Sequence, residues 1–135
     1  METIAALIIA ISLEVGVPPE LVLSIALTEN WTLNPTAVSK PNRDGSRDHG
    51  IMQLNDRYFP ITYCAETNIR TGAEHIKWLM QIHRDNTFFS LAISYNAGHS
   101  WFVHGDNPPS SSVNYARKVM TKWAELDPQH PILVR

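Results

Sequence analysis

The sequence predicts one mainly α-helical domain, α+β in class, with about six helices and one small β-hairpin. Three observations predict it. Apolar residues recur at spacings of three and four through most of the chain, the spacing of a single helix face. Turn formers gather in residues 34–46, where Asn34-Pro35, Lys40-Pro41 and Asp44-Gly45 interrupt that period. The chain has 135 residues, 44% of them hydrophobic, which suits one core and is too short for two ordinary domains. The domain is therefore expected to span residues 1–135, with a core from about 4 to 126 and an irregular tail over 127–135, where Pro128 and Pro131 fall.

Each element has its own reason. Ile4, Leu7, Ile8, Ile11 and Val15 define a first helix that ends near Gly16. Gly16-Val17-Pro18-Pro19 is a break, after which a proline in the first turn and Glu20 at the positive end of the dipole suit a second helix from 19 to 29 or 30. Residues 31–48 read as a loop, with Asn42-Arg43-Asp44-Gly45-Ser46 as the tip of a hairpin. Ile51 and Leu54 then stand three apart, as in a short helix or a strand leaving that hairpin.

The clearest helix is 66–83, where Ile69, Ala73, Ile76, Leu79, Met80 and His83 share a face and Gly72 marks a close helix contact. Thr87 is the N-cap of the next helix, which runs through Leu91, Ala92 and Tyr95 to Ala97-Gly98. Residues 98–111 read as the longest loop, marked by His99, His104, Gly105 and Pro108-Pro109. Ser110 to Ser112 cap a last helix lined by Val113, Ala116, Val119, Met120 and Trp123.

Composition excludes several kinds of partner. A formal net charge of −2 without a basic run argues against nucleic acid and against a charged membrane surface. The apolar run at 4–13 is too short to span a bilayer, and Glu2 stands where a signal peptide carries positive charge, so the run reads as a core helix. Cys64, the single cysteine, cannot form an internal disulfide and reads as an idle thiol. The pairs His75/His83 and His99/His104 lack ligand spacing joined to cysteine or carboxylate, and no metal or cofactor is expected. No nucleophile elbow surrounds a serine or Cys64. Trp78, Trp101 and Trp123 read as core residues, with sugar stacking as the alternative for Trp101 and Phe102.

One carboxylate stands out. Going back from Glu29 at helical spacing meets Ala26, Ile25 and Val22, so Glu29 lies on the face that its helix buries. It either reaches solvent at the last helical turn or stays protonated, the state that general-acid catalysis uses. Asp48 follows nineteen residues later, in the segment returning from the expected hairpin. Two carboxyls in contrasting surroundings are the pair that glycoside hydrolysis employs. Asp48 has plainer options, as a cap near Ile51 or a partner for Arg43 or Arg47.

Four segments in order carry a resemblance. They are Glu29-Asn30 with Leu33-Asn34-Pro35-Thr36-Ala37-Val38-Ser39, then Gly50-Ile51-Met52-Gln53-Leu54-Asn55, then Asn68-Ile69 with Gly72, and Ser94-Tyr95-Asn96-Ala97-Gly98. With Tyr115, they resemble the soluble lytic transglycosylase catalytic domain of the lysozyme-like superfamily over about residues 4–126. Residues 42–58 also resemble the β-hairpin of animal c-type lysozymes, a form familiar in transglycosylases carried by secretion systems, pili and phage particles.

The resemblance implies a hairpin beside an active-site cleft and cleavage of the β-1,4 bond between N-acetylmuramic acid and N-acetylglucosamine in peptidoglycan. It places Glu29 as the acid, Asp48 as a second carboxylate, and Ser39, Gln53, Tyr95, Asn96 and Tyr115 along the cleft. Asn30 departs from the serine usual after the glutamate, and one cysteine cannot supply the c-type disulfides. Three functions follow: a lytic transglycosylase, a muramidase hydrolysing the same bond, or a non-catalytic wall-binding module. Glycan strands are the expected partner, at the cell wall or in the periplasm, with delivery by a virion, a holin-dependent route or a secretion apparatus.

Overall fold

Each helix begins and ends where its terminal backbone groups find partners. The computed structural model describes residues 3–83 and 87–126. Helix α1 (Ile4–Val15) is capped by the Thr3 hydroxyl, which accepts from the Ala6 N–H at 3.0 Å, and it stops at Gly16, whose φ of +90° only glycine adopts freely. Helix α2 (Pro19–Glu29) has its proline in the first turn and Glu20 beside it. Helix α3 is Ala65–Ile82 and α4 is Phe88–Ala97, the latter capped by the Thr87 hydroxyl accepting from the Ser90 N–H at 3.2 Å. Two further helices follow, α5 (Ser100–His104) and α6 (Ser110–Leu126). The tail expected over 127–135 lies outside the described residues.

The centre of the domain is α2. Its residues Leu21, Val22, Leu23, Ser24, Ile25 and Ala26 are all buried, because α1, α3 and α6 pack around it. A helix apolar on every side has to be enclosed in this way. Ile8 and Ile11 of α1, Ile69 and Ile76 of α3, Leu91 of α4, and Ala116 and Val119 of α6 complete the core. No described helix is long and apolar enough to cross a membrane.

The hairpin differs from its expected form. Strand β1 (Asp48–His49) pairs antiparallel with β2 (Leu54–Asn55), in the register Asp48 to Asn55 and His49 to Leu54. Residues 49–55 are therefore two strands joined by a turn, rather than one short helix or strand. Gly50 at φ +80° and Gln53 at φ +51° make that turn, a reversal which apolar spacing does not report. The turn expected at 42–46 does close, through Asn42 N–H to the Ser46 carbonyl at 2.7 Å, yet it joins β1 to the segment bridged by Val38 and His49.

The 98–111 segment contains α5 where a continuous loop was expected. Its aromatic residues turn inward: Trp101 Nε1 donates to Ser94 Oγ at 3.0 Å, and Phe102 stacks on His83 with ring centroids 4.0 Å apart. Packing two half-buried rings on one short turn stabilises a helix that sequence periodicity is too brief to reveal.

Candidate active site

Glu29 ends α2, and Asn30 holds that end in place. The Asn30 N–H bonds the Ala26 carbonyl at 2.8 Å, and its Nδ2 donates to the carbonyls of Asn34 at 2.8 Å and Gly50 at 3.3 Å. Its Oδ1 accepts from the Asn34 N–H and the Thr32 hydroxyl. A single buried amide thus ties the helix end to the following loop and to the hairpin turn. This is what the departure from serine provides.

The Glu29 carboxyl is half-buried, and its Oε2 accepts from the Tyr115 hydroxyl at 2.8 Å. Burial raises its pKa from 4.5 to about 8; the Tyr115 bond pulls it down and the Asp48 charge pushes it up, both by less. It is mostly protonated at neutral pH and can donate to an ether oxygen. Burial and the neighbouring Glu29 hold the Tyr115 hydroxyl well above its usual range, so it remains a neutral donor. Tyr115→Phe removes the one contact that lowers the Glu29 pKa. The alkaline limb of the activity profile is expected to move to higher pH in that variant, with turnover reduced about tenfold; an unmoved limb would detach Tyr115 from the acid.

Asp48 lines the same cleft in polar surroundings. Its Oδ1 accepts from Asn55 Nδ2 at 2.9 Å and Asn42 Nδ2 at 3.4 Å, in place of the arginines that the sequence offered. The Asp48 N–H donates to Ser39 Oγ at 2.9 Å. Below this network, Asp44 is held at about 2 by the Ser46 hydroxyl and N–H and by Arg57, whose Nη1 lies 3.0 Å away. The hairpin face of the cleft is thus kept polar and anionic, opposite an acid in an apolar setting.

The cleft encloses about 900 Å³. Glu29, Asp48, Gln53, Tyr95 and Asn96 meet on its wall. Gln53 Nε2 donates to the carbonyls of Gly50 at 2.9 Å and Ala37 at 3.3 Å, and the Tyr95 hydroxyl donates to the Met52 carbonyl at 2.7 Å. Asn96 accepts from the Ser112 hydroxyl at 2.7 Å. Two expected residues act from behind the wall: Ser39 through the Asp48 backbone, and Tyr115 through Glu29.

Sequence reasoning missed an aromatic side of the cleft. Trp78, expected in the core, is 43% exposed and lines the cleft with His75 and His99. The His75 ring stacks on Trp78 at 5.8 Å and 19°, while His99 meets the indole edge-on at 4.9 Å. Burial and the nearby His99 depress the His75 pKa, which favours the neutral ring. The signal was present in the spacing. His75 and Trp78 are one turn apart on α3 and lie beside, not within, the stripe of Ile69, Ile76 and Leu79. Among the described residues no three His, Cys, Asp or Glu side chains gather as a metal site.

A family model described as "Transglycosylase SLT domain" matches residues 6–102, well over half of the chain. The chain is also 29% identical over 98 residues to a protein named "Lysozyme" from Galleria mellonella, an alignment that covers 67% of this chain and 78% of that one. No solved structure matches the chain significantly.

Proposed function

The chain belongs to the transglycosylase SLT domain family, and from that premise we propose that it is a peptidoglycan lytic transglycosylase. It cleaves the β-1,4 bond between N-acetylmuramic acid and N-acetylglucosamine and releases a 1,6-anhydro muramoyl end. The observation that carries this reading is a carboxyl with its pKa raised to about 8, set in a cleft about 900 Å³ in volume.

Glu29 donates its proton to the glycosidic oxygen as the bond to the muramoyl C1 breaks. The resulting carboxylate takes the proton of the muramoyl C6 hydroxyl, whose oxygen closes on C1, so the acid is regenerated and no water is consumed. Tyr115 stabilises the intermediate carboxylate through its hydroxyl. Gln53, Tyr95 and Asn96 hold acetamido and hydroxyl groups, and the Trp78 face offers a stacking surface for a pyranose.

Asp48 supports a second reading, a muramidase. A carboxylate held by two amides across the cleft can stabilise positive charge developing at C1, and water then completes the reaction. Mass analysis of digested, purified peptidoglycan separates the two. Products lighter by one water than reducing muropeptides are expected; reducing ends alone would overturn the transglycosylase reading in favour of the muramidase. The substrate places action at the cell wall or in the periplasm. The likeness of residues 42–58 to hairpins of transglycosylases borne by phage particles and secretion systems supports delivery within such an apparatus.

A further inference from the structure

Two side-chain amides stand on the wall of the cleft, and each is held by one end. Gln53 gives its Nε2 to the carbonyls of Gly50 at 2.9 Å and Ala37 at 3.3 Å, which leaves Oε1, an acceptor, as its open end. Asn96 is held the other way round: its Oδ1 accepts from the Ser112 hydroxyl at 2.7 Å, and its Nδ2 donates to no partner among the described residues. Ser112 is 3% exposed, whereas Asn96 is exposed and lines the cleft. Turning the Asn96 amide over would set Nδ2 against Ser112 and leave a buried hydroxyl proton without an acceptor, since that hydroxyl donates to nothing else among the described residues. The amide is therefore fixed with its two donors at the open end.

We propose that Ser112 is a positioning residue that sets the selectivity of the cleft for N-acetylated sugars, by holding Asn96 as a donor toward the carbonyl oxygen of an acetamido group, a role that rests on the function proposed above. A sugar hydroxyl both donates and accepts, so it meets either end of an amide equally well. An acetamido carbonyl only accepts, and a fixed donor singles it out. A carboxylate also only accepts, but the hairpin wall of the same cleft carries Asp44 and Asp48, which repel it. Gln53 offers the complementary end, an acceptor for an N–H. Ser112 and Tyr115 stand three residues apart at the start of α6 and so share one face of it. One helical turn thus acts from behind the wall at two points, on the acid through Tyr115 and on the Asn96 amide through Ser112.

The test reads acetamido preference as a ratio of affinities. Tetra-N-acetylchitotetraose and cellotetraose are the probes, neutral β-1,4 oligomers that differ in carrying an acetamido group or a hydroxyl at C2. Calorimetric titration of the wild type is expected to show tighter binding of the acetylated oligomer, and Ser112→Ala is expected to lower that preference about fivefold, the worth of one neutral hydrogen bond. Ser112→Thr keeps the hydroxyl and should retain the preference, which a merely structural role at this position would not predict. Asn96→Ala, at an exposed position, tests the same point even where Ser112→Ala does not fold, and should lower the preference at least as far. The double variant should lose no more than Asn96→Ala alone, because Ser112 acts through Asn96. A wild type that does not prefer the acetylated oligomer, an undiminished preference in Ser112→Ala or Asn96→Ala, or a further loss in the double variant would overturn the proposal. The titration needs no turnover. A wild type that leaves purified peptidoglycan intact refutes the catalytic reading, and the affinity ratios still decide the role of Ser112.

Discussion

Glu29→Gln is expected to lower turnover of purified peptidoglycan by about a hundred- to ten-thousandfold, the usual contribution of a positioned general acid, and at the same time to stabilise the fold. The two effects have one origin. In the unfolded chain Glu29 loses its proton near pH 4.5, whereas in the folded protein burial holds the proton to about pH 8. The contribution of this group to stability is fully present below pH 4.5 and is lost as pH rises through 8. Glutamine keeps the shape and can still accept from the Tyr115 hydroxyl, yet never has to ionise.

The melting temperatures of variant and wild type should therefore nearly coincide at pH 4.5 and diverge as pH rises, with a difference that levels off above pH 8. The shift sets an upper bound of about 5 kcal/mol, which access of solvent through the cleft reduces. A pH-independent difference in melting temperature would argue against the buried acid. Near wild-type turnover would remove Glu29 from the chemistry. This destabilisation at the site of reaction is the ordinary trade between stability and activity.

Gly50→Ala is expected to destabilise the protein by about 2–4 kcal/mol, combining left-handed backbone strain with disruption of buried hydrogen bonds. Gly50 sits at φ +80°, and a Cβ there would overlap the Asn68 side-chain amide. That amide cannot give way freely: its Oδ1 accepts from the Met52 N–H at 2.7 Å and its Nδ2 donates to the His49 carbonyl at 3.0 Å. The Gly50 carbonyl also receives Asn30 and Gln53, so the substitution would loosen the hairpin against the acid. Turnover should fall along with stability. Gly45→Ala is the control, since Gly45 has a comparable φ of +87° but no atom within 4 Å of its would-be Cβ. It should cost only the backbone contribution, about 1 kcal/mol. Urea denaturation measures both; similar losses for the two variants would show that Asn68 yields without penalty.

These predictions divide along the line between local and distant information. The helices were legible because periodicity and caps are properties of neighbouring residues: Gly16, Pro19, Thr87 and Gly98 mark ends that the structure places within a residue or two. Glu29 was legible as a carboxylate on an apolar face for the same reason. The hairpin was located with its strands misassigned, because Gly50 and Gln53 reverse the chain over too few residues for a period to develop.

Trp101 packs inward as expected whereas Trp78 does not, since a tryptophan's burial depends on which segment packs over it. Ser94 and His83 cover Trp101 and Phe102, while Trp78 is left lining the cleft. The neighbours of Glu29 are distant in the same sense. Tyr115 lies eighty-six positions away, and the Asp48 amides come from opposite sides of the hairpin. The chain thus specified its helices, its single core and the presence of an acid at the end of α2, all from short-range spacing. The pKa of that acid, the polar setting of Asp48 and the aromatic wall arise only when remote segments meet, because desolvation and hydrogen bonding depend on the whole surround of a group and not on its position in the chain.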